Sequence, residues 1–299
     1  MFSGFSHSVM GASHEVSGIV CQDSSSYRIN EFFSAAVVAD GHGSKKHFRS
    51  NVGSQCAVEA AMETFENFYY FDQEFEESFP ENHKFILKKM EKQTIANWNK
   101  RITRHLEENP VTEAEKSKFS EEEFAEISPV AYYGTTLIAA VIGRKFTFGI
   151  QIGDGSLVAV MEDGRALMPM EYEESAPANI TASMCNSQAA TMFKSFYIGD
   201  SPVLALYAST DGLYTTFGSD DDFLNYHSII TSQLVTKDDA ENIIHKNLIK
   251  RSRFGTQDDV SMSCVFNFDR ARELTDTLMK KVNEIKSGGR SDNSGSEDL

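Results

Sequence analysis

Ala36-Val37-Val38-Ala39-Asp40-Gly41-His42-Gly43 is the stretch from which the rest of the chain can be read. Four apolar residues run straight into a carboxylate, a glycine, an imidazole and a second glycine. An apolar run closed by a glycine turn is the pattern of a core strand whose last side chains reach the edge of a sheet. Asp40 at such an edge can hold a cation, Gly41 lets backbone approach closely, and His42 exchanges protons near neutral pH. The same grammar returns at Asp154 in Ile152-Gly153-Asp154-Gly155-Ser156 and at Asp211 in Ser209-Thr210-Asp211-Gly212-Leu213. It returns again at Asp258 in Gly255-Thr256-Gln257-Asp258-Asp259-Val260-Ser261, and Asp23 in Cys21-Gln22-Asp23-Ser24 is a fifth case. One Asp-Gly after a strand is usually only a turn; five such aspartates in separate blocks are a constellation. Converging carboxylates repel unless a cation neutralises them, and oxygen-only donors favour Mg2+ or Mn2+ over zinc. Two such ions can clamp a phosphoryl group and activate a water.

Around these aspartates the chain alternates short apolar runs with turn residues. Phe32 to Ala39, Thr135 to Ile142, Phe146 to Ile152, Leu157 to Met161, Val203 to Ser209 and Val260 to Phe266 read as strands. Gly143-Arg144-Lys145 and Asp163-Gly164 are hairpin signals, so the sheets are expected to be antiparallel. Helical spacing predicts helices over Ser44 to about Tyr70 and Lys84 to about Glu107. A short helix around Phe223 and Ile229 follows, then one capped by Thr236 that runs through Leu248. Helices grouped between blocks of antiparallel strands imply an α+β layered domain. Glu107 to Glu126 reads as a loop with a short exposed helix, and Met168 to Tyr197 as an aperiodic excursion of the lid type. Ala271, Leu274, Leu278, Val282 and Ile285 line one face of a terminal helix. The expected organisation is a domain over 1–268, an amphipathic helix over 269–286 that docks back onto it, and a disordered tail over 287–299.

Composition narrows the function classes. The chain has 299 residues, 40% of them hydrophobic, and 22 Phe to fill a sizeable core. A net charge of −16 argues against nucleic acid or an anionic membrane as partner. The first Lys or Arg is Arg28, so no charged n-region of a signal peptide is expected, and no apolar run is long enough to span a bilayer. Cys21, Cys56, Cys185 and Cys264 have no C-x-x-C spacing, and the single Cys-x5-Arg spacing, Cys264 to Arg270, starts inside the apolar Val260 to Phe266 run rather than in a loop. A zinc site, a disulfide framework and a cysteine-nucleophile phosphatase are therefore disfavoured, and a cytoplasmic location is expected.

In order, Gln22-Asp23, the Asp40 block, Tyr133-Gly134-Thr135-Thr136-Leu137 and the Asp154, Asp211 and Asp258 blocks resemble the type 2C, metal-dependent serine/threonine protein phosphatases. The resemblance covers about Gly11 to Phe266; each motif alone is weak and the ordered set is specific. It implies a sandwich of two antiparallel β-sheets flanked by helix pairs, with two divalent cations (Mn2+ or Mg2+) and a weaker third at one end. By that resemblance Asp40 bridges both metals and the Gly41 carbonyl binds one. Asp211 and Asp258 hold the first metal, Asp23 contacts the cluster through water, and Asp154 with Asp211 forms the weaker site. A water bridging the metals attacks a phosphoserine or phosphothreonine monoester of a protein substrate, and His42 protonates the leaving alkoxide. An opposing serine/threonine kinase system is implied as well.

Three positions depart from the pattern. Gln22 stands where many members have an acid, Gly18 where many have a phosphate-gripping Arg, and Asp259 where many have Asn. Gly11-Ala12-Ser13-His14 is similar to a bacterial branch of the family, which makes His14, or a residue near Lys45 and Lys46, the expected substitute for the absent Arg. Loss of ligand carboxylates would mark a silent, partner-binding relative; every Asp position is kept, so hydrolysis is favoured. A narrower enzyme acting on one phosphorylated regulatory protein keeps the same residues.

Overall fold

A computed structural model of the chain describes residues 1–72, 74–170, 182–199 and 203–291. Ten strands form: β1 Phe2–Val9, β2 Ser24–Ile29, β3 Phe33–Ala39, β4 Leu137–Gly143, β5 Thr147–Ile152, β6 Ser156–Met161, β7 Ala166–Leu167, β8 Lys194–Ile198, β9 Val203–Ser209 and β10 Val260–Asn267. They make two five-stranded antiparallel sheets, ordered β1-β10-β9-β6-β7 and β2-β3-β4-β5-β8. Period-two alternation explains why the inner strands are apolar throughout. In β3, Ala35, Val37 and Ala39 face a helix-covered core, while Ala36 and Val38 face the core between the sheets. Both faces are buried, so both parities are apolar.

The helices are α1 Ala12–Ser17, α2 Ser50–Phe71, α3 Phe75–Glu108, α4 Glu113–Lys116, α5 Glu121–Glu126, α6 Ala189–Met192, α7 Asp211–Tyr214, α8 Asp220–Thr236, α9 Ala240–Arg251, α10 Phe268–Glu273 and α11 Thr275–Ser291. α2 and α3 cover one sheet through Phe65, Phe79 and Trp98. α8 and α9 cover the other through Phe223, Ile230, Ile244 and Leu248, and α11 adds Leu278. The result is the expected helix–sheet–sheet–helix sandwich.

Several boundaries differ from the sequence reading. α3 begins nine residues before the expected Lys84, because it continues through Pro80 and only kinks at Asn82, where φ is −115° and ψ 15°. The chain before Ser50 is turn rather than helix, and the expected short helix near Phe223 is the 17-residue α8. Thr236 ends α8 instead of capping the next helix: its hydroxyl donates back to the Ser232 carbonyl at 2.8 Å, and Asp239 precedes α9. β1 and β2 carry too many serines and half-exposed residues to signal as strands, yet β1 pairs with β10 and β2 with β3 along their lengths. Two short helices with full capping boxes, at Thr112 and Ser120, occupy the acidic segment read as a loop with one short exposed helix. The terminal helix is split at Leu274 and extends to Ser291, so 287–291 are helical although Gly288 and Gly289 give that turn no helical preference. The rest of the expected tail, 292–299, and residues 171–181 of the expected lid lie outside the described residues.

Candidate metal centre and active site

Antiparallel register brings the motif blocks to one end of the sandwich. β3 ends at Ala39 opposite the start of β2 at Ser24, and β4 starts at Leu137 opposite the end of β5 at Ile152. In the other sheet Ser156 at the start of β6 and Met262 near the start of β10 both pair with Ser209, the last residue of β9. Asp23, Asp40, Asp154, Asp211 and Asp258 each follow or precede one of these ends, so strand pairing gathers residues more than 200 positions apart. Asp40, Asp154, Asp211 and Asp258 line one cavity of about 530 Å³, together with His42, Lys46, Ser183 and Asn186. Asp40 and Asp258 also line a neighbouring cavity of about 470 Å³, with His14, Gln22 and Asp259.

The backbone around Asp40 is fixed from both sides. Its N–H donates to the Thr136 hydroxyl at 3.0 Å, and its carbonyl accepts from Thr135 Oγ1 and the Thr136 N–H, both at 2.8 Å. The two threonines therefore orient the strand end. Gly41 has no room for a side chain: a Cβ there would fall 2.5 Å from the Gln22 carbonyl and 2.8 Å from that of Ser50. Gln22, where an acid was the family norm, instead donates through Nε2 to the Ser50 hydroxyl at 2.6 Å. Asp211 opens α7 directly after β9, and Asp258 follows the one non-glycine residue with positive φ among those described, Gln257.

The electrostatics are those of crowded acids. Burial, then Asp23 and Asp211, raise the Asp40 carboxyl well above its usual range. Burial first, then Asp154, also raises Asp211. Burial and Asp259 raise Asp23 despite a 2.8 Å hydrogen bond from Thr210 Oγ1. Burial first, with His47 beside it, brings His42 down to about 4, while Asp154 pulls the other way. Cys21 is pushed up to about 12 by burial and the neighbouring Asp259 and Asp23, which leaves it a thiol and a poor nucleophile.

Asp259 had no assigned role in the sequence and has a specific one here. Its carboxylate, 4% exposed, accepts from the Gly11 and Gln22 N–H groups, each at 2.7 Å, and lies 3.0 Å from His14 Nδ1. The acid thus ties the loop before α1, the Gln22-Asp23 segment and the His14 ring to the start of β10. Ser183 and Asn186 were also missed, because they sit in the aperiodic excursion; only its position beside the motif blocks pointed to the site.

The donor set suits hard cations. Four carboxylates share one opening, where burial and mutual repulsion raise Asp40 and Asp211, and a divalent ion relieves that crowding as a proton does. Among the described residues the oxygens do not close on a single point as a finished ligand cage. The fit is therefore one of donor chemistry and placement.

The family model for protein phosphatase 2C matches residues 10–248 of the chain. No curated protein matches it significantly. Among solved structures it is similar to the serine/threonine phosphatase Stp1 from Staphylococcus aureus, at 15% identity and a TM-score of 0.57, over 89% of this chain and 95% of that one. It is similar to the S. agalactiae serine/threonine phosphatase at 14% identity and TM-score 0.55, covering 89% and 99%. PppA, a regulatory component of T6SS in Pseudomonas aeruginosa, matches at 16% identity and TM-score 0.52, covering 89% and 97%. At these identities the structures speak for the fold, and the family model speaks for the chemistry. The chain belongs to the protein phosphatase 2C family, whose enzymes are protein serine/threonine phosphatases.

Proposed function

We propose that this chain hydrolyses phosphoserine and phosphothreonine monoesters on proteins with the help of two divalent cations, Mn2+ or Mg2+, and a weaker third. The observation that carries the reading is the convergence of Asp40, Asp154, Asp211 and Asp258 on one cavity with His42 in its wall. Asp40, Asp211 and Asp258, with the Gly41 carbonyl, would hold the principal ions; Asp23 would support them through water and Asp154 would serve the weaker site. When bound, the ions would neutralise the phosphoryl oxygens and activate a water for attack on phosphorus. Thr135 and Thr136 keep Asp40 in place by clamping its backbone. His42 would deliver a proton to the seryl or threonyl oxygen as it leaves. A bound phosphate dianion adds to Asp154 a second negative charge beside His42, which favours the protonated ring needed for that step. His14, held by Asp259, is the proposed substitute for the missing phosphate-binding Arg.

The cytoplasm and an opposing kinase are parts of the same proposal. No described helix is long and apolar enough to cross a membrane, and the four cysteines are free. The test is phosphate release from a phosphothreonine peptide, with and without Mn2+, for the native enzyme and Asp211→Asn. Release that needs Mn2+ and is lost in the variant supports the reading. Equal release by metal-stripped enzyme in chelator overturns it.

A further inference from the structure

A second opening shares a wall with the carboxylate cavity. Ser44 and Lys46 line both. Beyond them the second opening forms a groove of about 540 Å³, with Phe119 and Ile127 contributing apolar surface and Glu123 and Glu126 contributing acid. Stacked and tilted rings fix this wall: Phe119 against Phe124 and Phe48, and both Phe124 and Phe48 against Tyr132, which is buried at the foot of the loop. The capping box at Ser120 fixes α5, which carries both glutamates. A wall built this way is formed before a ligand arrives, which lowers the ordering cost of binding.

The charges in the groove are not equivalent. Lys45 is engaged internally, its Nζ 3.4 Å from Glu123 Oε2 and 4.5 Å above the Phe119 ring. Glu123 is engaged as well, because the same oxygen accepts from the Ser120 N–H at 2.9 Å. Lys46 lies at the junction with the carboxylate cavity, whereas Glu126 lines the groove alone. Positive charge thus stands where a phosphoryl group would enter, and negative charge stands farther along.

We propose that this groove receives the polypeptide flanking the phosphorylated residue and favours substrates with an apolar side chain and a Lys or Arg on that flank. The inference rests on the phosphatase reading above and adds a substrate class to it. Continuity with the carboxylate cavity identifies the occupant as the same polypeptide, the aromatic wall accommodates an apolar side chain, and Glu126 complements a cation. The net charge of −16 acts in the same direction, since it disfavours acidic peptides at long range.

The experiment compares two phosphothreonine peptides, identical except that flanking lysines are replaced by glutamates, with p-nitrophenyl phosphate as a substrate too small to reach the groove. Native enzyme, Glu126→Lys and Phe119→Ala are assayed with Mn2+. The proposal predicts a lower KM for the lysine peptide in the native enzyme, and a rise of about fivefold in that KM in Glu126→Lys with kcat unchanged. Phe119→Ala should raise KM for both peptides. Neither variant should alter p-nitrophenyl phosphate hydrolysis. Native enzyme indifferent to the two peptides, or variants that change the small substrate and the peptides alike, would overturn the groove assignment. Failure of the native enzyme to hydrolyse p-nitrophenyl phosphate at all would instead bring down the phosphatase reading, and the groove with it.

Discussion

His42 and Asp40 sit two residues apart in the chain and far apart in consequence. His42→Ala removes the proposed proton donor while leaving every carboxylate, so Mn2+ binding should persist and turnover should fall on the order of 10²-fold. Asp40→Asn should cost more than about 100-fold in activity, beyond what outer-shell changes around a metal typically cost. Its effect on stability should have the opposite sign without metal. Asp40 is buried against Asp23 and Asp211, so neutralising it relieves repulsion and should raise the metal-free melting temperature while it lowers the gain on adding Mn2+. A thermal scan of both proteins with chelator and with Mn2+ checks the crossover. At this scale the sequence named Asp40, Asp154, Asp211 and Asp258 because the strand-Asp-Gly grammar is local. It could not assign Asp259, whose partners Gly11, His14 and Gln22 are more than 230 positions away in the chain.

Strand pairing makes the site, and helices protect it. The apolar runs of β3 to β6, β9 and β10 were legible because both faces of each strand are buried, which leaves a continuous hydrophobic signal. β1, β2 and β8 were not, because they stand at sheet edges with one face half-exposed. The boundary between α8 and α9 was misplaced at Thr236 because a threonine can bond its own preceding turn as readily as cap the next helix. α11 packs on α8 and buries Leu278 and Val282. Ending the chain after Leu274 should therefore destabilise the domain by about 3–6 kcal/mol, the transfer cost of those two side chains. Urea unfolding of the shortened chain measures it. A midpoint equal to that of the full chain would mean that α11 contributes nothing to the fold.

Across the whole molecule, acid should unfold the protein in two identifiable windows. His227 is fully buried among Tyr207, Phe223 and Tyr226, and burial lowers it to about 4. The unfolded ring, near 6.5, takes up a proton first, so this residue's contribution to stability is intact above pH 6.5 and falls between 6.5 and 4 by about 3 kcal/mol. His227→Phe should remove that part of the pH dependence, read as the difference between the two unfolding curves. A second window lies lower. Arg49 holds Glu115 down at about 2, so the stability this pair contributes is complete above about 4.5 and is lost as pH falls towards 2. These effects surround the centre proposed above, in which residues spread from Asp23 to Asp258 would act as one cation site. Mn2+ binding measured by calorimetry on metal-stripped protein tests that most directly. The native chain should bind at least two ions, Asp211→Asn should bind fewer, and Asp40→Asn should lose the tight component. Equal stoichiometry and affinity in all three proteins would contradict the account.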